Sequence, residues 1–307
     1  MSKVHWLALS SVPGVGGVTA KKLIGRFGDI EAVFDTPDED LLTVPRVTPD
    51  MVARLRAISL ESLEEELASL GEEGIQVFTW DDEEYPANLR PTDDSPPVLF
   101  VSGDVRPEDE RAVAIVGTRE PTPSAVERAE TIARELAARG WTIASGLALG
   151  IDTAAHRGAL KADEGRTLAV LGSGLRTIHP RENARLAEEI ICRGALLSEF
   201  HPNSPPRGQN LMARDRIVSG LSRAVLVVEA GEKSGSLDTA AKARRQGRPV
   251  WAVPGSPGTD LLIKNGQAKS LDFPVVDWDR FSQGLPPTID TPVRDEGVQG
   301  QSQLSLF

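Results

Sequence analysis

Residues 112–150 read AVAIVGTREPTPSAVERAETIARELAARGWTIASGLALG. A short apolar run, Ala112 to Val116, stops at the turn Gly117-Thr118-Arg119; a helical pattern follows from Ser124 to Ala138, and a second run, Thr142 to Ala144, stops at Ser145 and Gly146. Strand, helix and strand in one short span make a βαβ unit, which requires a parallel sheet covered on both faces. Outward from this stretch the rhythm repeats. Thr167 to Leu171, Ala195 to Leu197, Ala224 to Val228 and Val250 to Val253 are further apolar runs, and Asp238 to Gln246 is another helical pattern. The fold class is therefore α/β.

Upstream the text differs. Leu7, Leu9, Leu23, Phe27, Met51, Leu55, Leu63 and Leu67 recur at helical spacing, so residues 1–75 read as a small all-α domain. Within it, Val12-Pro13-Gly14-Val15-Gly16 resembles a helix-hairpin-helix, whose glycines let backbone N–H groups face an anion at the next helix. Structural packing and direct DNA contact both remain open for that hairpin, because the acidic run Asp38-Glu39-Asp40 lies nearby. Residues 76–280 read as an extended Rossmann-like domain, entered through a segment punctuated by Pro86, Pro91, Pro96 and Pro97. Residues 281–307 are polar and rich in Pro, Gly and Gln, and read as a disordered tail.

Composition narrows the class. The 307 residues include one cysteine, Cys192, and four histidines, which leaves neither an internal disulfide nor a cysteine-based metal site. No apolar run approaches the length of a membrane span, and the N-terminus lacks a signal peptide's core, so a cytoplasmic location is expected. A net charge of −11 argues against a nucleic-acid partner on its face. The average conceals an asymmetry. Residues 112–270 hold 22 Lys and Arg against 16 Asp and Glu, or +6, which leaves −17 for the remainder. A basic face on the central region is compatible with an acidic whole.

The strand ends carry the chemistry. Gly117 and Thr118, Ser145 and Gly146, Gly172-Ser173-Gly174, Glu229-Ala230-Gly231 and Val253-Pro254-Gly255 all fall at the carboxyl edge of the predicted sheet, where ligands of open α/β sheets bind. Glycines there admit a phosphate close to the backbone, and the following helix N-termini offer free N–H groups. Neither G-x-G-x-x-G nor a P-loop is completed, so no cofactor is assigned. Asp152 and His156 lie one helical turn apart; a capping Asp and a packed His account for them better than an acid–base pair.

Several motifs, in order, resemble the DprA/Smf family: the Gly117-Thr118-Arg119 turn, SGLALGIDTAAHRGA at 145–159, LAVLGSG at 168–174, RDRIVSGLSR at 214–223 with AVLVVEA at 224–230, SGSLDTA at 234–240, and Val253-Pro254-Gly255. Tyr85-Pro86 and PPVLF at 96–100 join them, so the resemblance covers roughly residues 76–270. It implies a cytoplasmic homodimer without enzymatic activity that binds single-stranded DNA and loads RecA during natural transformation. Arg119, Arg214, Arg216 and Lys233, with Ser234, Gly235 and Ser236, would then line the phosphate path, as guanidinium forks and bare amides suit phosphate oxygens. The chain departs from the family pattern at Asp215 and Asp260, where Asn is usual, and at Leu211-Met212, where Phe-Pro is usual. Weaker or more salt-sensitive binding is expected from those departures, with Leu211→Phe tightening it. The runner-up reading is a nucleotide phosphoribohydrolase on the same sheet with Asp238 in the acid's place. A third is a dinucleotide-binding regulator. The winged-helix-like C-terminal domain that many members carry is not expected from residues 281–307. The chain ends instead in Gln303, Leu304, Ser305, Leu306 and Phe307, which resembles the peptide that docks on the DNA sliding clamp.

Overall fold

The structure, a computed structural model, describes residues 2–275 and 277–287. Six helices come first: α1 (Ser2–Ser11), α2 (Gly17–Phe27), α3 (Ile30–Asp35), α4 (Asp38–Leu41), α5 (Pro49–Arg56) and α6 (Leu60–Glu72). Side-chain caps start three of them. Asp29, Thr48 and Ser59 accept from the N–H groups of Ala32, Met51 and Ser62, each satisfying a donor that has no partner inside its helix.

Strands β1 (Ile75–Thr79) and β2 (Val98–Gly103) follow, and then the alternation expected from the sequence: β3 (Ala112–Val116), α7 (Pro123–Ala137), β4 (Thr142–Ser145), α8 (Ile151–Leu160), β5 (Thr167–Val170), α9 (Ala184–Arg193), β6 (Gly194–Ser198), α10 (Gly208–Leu221), β7 (Ala224–Val227), α11 (Gly235–Arg245), β8 (Val250–Ala252), α12 (Pro257–Lys264) and β9 (Lys269–Ser270). Helix α13 (Trp278–Gln283) closes the described chain. One nine-stranded sheet runs in the order β1-β2-β6-β5-β4-β3-β7-β8-β9. From β6 to β9 every pairing is parallel, whereas β1, β2 and β6 pair antiparallel. The class is thus mixed α/β with a mostly parallel sheet, and the Pro-punctuated segment contributes an antiparallel edge.

Both faces are covered, as the continuous burial of β3, β4, β5, β6 and β7 requires. One face packs Val113, Ile115 and Ile143 against an alanine-rich layer from α7 and α8, including Ala129, Ala133, Ala155 and Ala159. The other packs Val116, Val225 and Val227 against Ile217 and Leu221 of α10 and Ala240 of α11. The N-terminal helices do not keep a core to themselves. Trp6, Leu9, Leu23 and Leu70 join one cluster with Val77 of β1, Phe100 of β2 and Ile190 of α9, and the Trp6 indole donates to Asp81 at 2.6 Å.

Candidate nucleic-acid interface

The strand order reverses between β3 and β7: β4, β5 and β6 lie on one side of β3, and β7, β8 and β9 on the other. Beyond the carboxyl ends of such a pair a crevice opens, because the chain leaves the two strands in opposite directions. Its walls are the turn after β3, the loop after β4, the start of α10 and the residues entering α11. Thr118 N–H donates to the Glu229 carbonyl at 2.8 Å, and the Glu229 carboxylate accepts from Thr122 Oγ1 at 2.8 Å, so the turns after β3 and β7 are tied together. The cleft has a volume of about 560 Å³.

Three cations reach it. Arg119 and Lys233 are exposed on its rim, and neither has a hydrogen-bond or ion-pair partner among the described residues. Arg214 is in the floor and 4 % exposed. Its Nη1 donates to the Val170 carbonyl at 2.9 Å, and its Nε faces Asp215 Oδ1 at 3.2 Å. The guanidinium occupies the space that any side chain at residue 146 would need, so only glycine admits it there. Lys233 and Ser234 lead into α11, whose first turn, with Gly235 and Ser236, turns N–H groups without intrahelical acceptors toward the cleft. Gly117 and Gly146 also line it.

The same fold sorts the remaining sequence-predicted residues. Arg216 is not in the cleft. Two residues on a helix differ by about 200°, so Arg214 and Arg216 leave opposite sides of α10. Arg216 forms a two-pronged pair with Glu199, at 2.5 and 2.6 Å, and its Nε donates to the Asp94 carbonyl. Ser145 is buried, its hydroxyl donating to the Ile115 carbonyl at 2.7 Å. The space beside Gly172 and Gly174 is taken by the main chain of Leu211 and by the His201 and Pro202 carbonyls, and Ser173 donates to the Thr177 carbonyl. These backbone approaches serve packing within the chain. Asp260 accepts from Gly255 N–H at 2.8 Å and does not line the cleft. Asp238 pairs with Lys242 at 2.5 Å.

Two buried ionisable groups adjoin the floor: Asp152, which with Asp215 lines the cleft, and His156, which does not. Asp152 accepts from the N–H groups of Gly146 at 3.1 Å and Ala148 at 3.4 Å; burial pushes its carboxyl up to about 6, against the opposing pull of Arg214. The His156 ring bonds Thr167 Oγ1 at 2.7 Å and is pushed down to about 3, first by burial and then by the Arg214 charge. His156 is therefore a neutral packed ring bonded to a threonine. Asp215, whose carboxyl burial also raises, offsets part of the Arg214 charge.

The sequence profile of the DNA recombination-mediator protein A family matches residues 76–274. The chain belongs to this family. Its N-terminal residues 7–58 match the SAM-like helix-hairpin-helix tandem, in agreement with the helical start. Among curated family relatives, protein Smf of Escherichia coli is 40 % identical over 271 residues, spanning 85 % of this chain and 70 % of that one. DNA processing protein DprA of Bacillus subtilis is 44 % identical over 191 residues, 62 % of this chain and 64 % of that one. DprA of Streptococcus pneumoniae, a solved structure, superposes with a TM-score of 0.75 at 31 % identity, covering 88 % of this chain and 95 % of that one. DprA of Helicobacter pylori, described for its single-stranded DNA binding mode, superposes with a TM-score of 0.60 at 34 % identity, covering 68 % and 94 %.

A second cavity of about 690 Å³ continues the cleft of this family member over Arg119, Gly146, Leu211 and Arg214. Its far wall holds Leu149, His179, Pro180, Arg181 and Glu182, to none of which the sequence reading gives a role. The signal was available. Residues 175–182 leave the carboxyl end of β5, so the same edge rule that selected Gly117 and Gly146 applies to them. Among the described residues no group of three or more His, Cys, Asp or Glu side chains is placed to hold a metal ion, and no helix is long and apolar enough to cross a membrane.

Proposed function

We propose that this family member binds single-stranded DNA along the carboxyl edge of its parallel strands. The phosphates run over Arg119 and Lys233, with Arg214 beneath and the first turn of α11 supplying N–H donors. One observation carries the reading: two cations, unpaired among the described residues, overhang a cleft at the switch point whose floor holds a guanidinium. The Helicobacter pylori relative's single-stranded DNA binding supports it. A salt series with the full chain tests it. Removing an arginine that contacts phosphate flattens the dependence of log K on log salt by about one unit. Arg119→Ala is expected to do so, and a slope equal to wild type would refute the assignment.

The reading extends to a homodimer that delivers the strand to RecA, in keeping with the family's description as a recombination mediator. It is a reading of binding and loading rather than catalysis, in the cytoplasm. Faster RecA nucleation on a bare single strand in the presence of the protein supports it. Release of free base from nucleoside monophosphates would favour the phosphoribohydrolase instead. The proposed clamp peptide, Gln303 to Phe307, lies outside the described residues, as does most of the tail read at 281–307.

A further inference from the structure

The loop Gly146–Gly150 is fixed from three sides. Buried Asn183 donates to the Leu147 carbonyl at 2.9 Å and to Thr153 Oγ1 at 2.8 Å. Asp152 accepts from the N–H groups of Gly146 and Ala148. Gly150, at φ 83°, packs so tightly on the turn after β3 that an added Cβ would lie 2.8 Å from the Arg119 carbonyl carbon. Leu147, between them, adopts φ 57°, a left-handed conformation that non-glycine residues seldom take. Besides the bare Gly146 backbone that admits Arg214, this order has a second product. Leu147 is fully buried while Leu149 is held outward, 41 % exposed, in the wall of the second cavity.

A leucine held in water adds nothing to the core, and strained backbone of this kind gathers at ligand sites. Its neighbours indicate the ligand. The exposed His179 ring lines the same cavity, Met212, 57 % exposed, stands at the adjoining cleft, and Arg119 and Arg181 line the cavity too, without ion-pair partners among the described residues. An apolar ledge in one cavity with two guanidinium groups that are unpaired among the described residues suits a flat face with an anion on either side, which is the shape of one nucleotide within a strand.

We infer that the second cavity is a base subsite: one nucleobase of the bound strand lies on Leu149 and the His179 ring. Its flanking phosphates pass over Arg119 into the adjoining cleft and over Arg181. The inference rests on the single-strand reading above and adds where the base goes. Oligodeoxythymidine and an abasic strand of equal length, titrated against the full chain, separate the two. Base stacking amounts to a factor of about 5 to 150 per base. Wild type is expected to favour the base-bearing strand by at least about 5-fold. Leu149→Ser combined with His179→Ser should remove most of that preference without changing the salt slope, and Leu149→Trp should enlarge it. Both positions are exposed, and an unchanged melting temperature confirms that the fold is kept. A wild-type ratio of one, or a double variant that keeps the wild-type ratio, overturns the proposal. Failure of the phosphate path registers separately, as an unaltered slope in Arg119→Ala.

Discussion

Asp152 and His156 show how two residues one helical turn apart come to oppose each other in the dependence of stability on pH. The folded Asp152 keeps its proton up to about pH 6, whereas an unfolded Asp releases it near 3.9. The folded chain therefore binds the extra proton between roughly 4 and 6. Its contribution is complete below that window and is lost as pH rises through it. His156 runs the other way. Its ring stays neutral down to about 3, whereas an unfolded His charges near 6.5, so its contribution is present above that value and is lost as pH falls. Between 4 and 6 the two slopes cancel. Asp152→Asn keeps an acceptor for Gly146 and Ala148 and removes one side of the balance. Relative to wild type the variant should lose about 1.4 kcal/mol per pH unit as pH falls from 6 to 4, measured by denaturant unfolding. A variant that parallels wild type across the window would contradict the account.

At the level of elements, α10 carries two arginines that look alike in the sequence and do different work. Arg214 belongs to the cleft, and Arg216 fastens α10 to Glu199 after β6 and to the loop at Asp94. Arg216→Ala leaves the half-buried Glu199 carboxylate without its partner and should cost about 3 kcal/mol of stability. The salt slope of DNA binding should stay as in wild type, which distinguishes fastening from phosphate contact. Helix and strand positions were readable in the sequence because apolar runs and helical spacing are local signals. Val98–Val101 is an apolar run, yet such a run bounded by turns says nothing of direction, so the antiparallel edge of β1 and β2 was not readable. A stretch written Arg-Asp-Arg likewise hides the angle of the helix that separates its cations. Asn183 was out of reach for a different reason. Its effect on Leu147 is exerted across 36 residues, through a fold that no window of sequence contains.

Across the whole molecule, the helical start and the sheet unfold as one body, because Trp6 and Leu9 share a core with Val77 and Phe100. Calorimetry should give a single cooperative transition for the intact chain. Deleting residues 1–74 would uncover β1 and β2 and produce an aggregating remainder rather than a stable sheet domain. A soluble remainder melting near the wild-type temperature would refute the shared core. The charge distribution acts at the same scale. An excess of +6 over residues 112–270 against −17 elsewhere keeps the chain acidic as a whole while its central segment, which supplies the cleft, is basic.

The arginine in the cleft floor is already immobile, clasped between the Val170 carbonyl, Asp215 and the bare backbone of Gly146. A free arginine surrenders about 2 kcal/mol of rotational entropy when a ligand pins it. Here folding has met that cost before any strand arrives, and the enthalpy of each new contact at this side chain goes into affinity nearly undiminished.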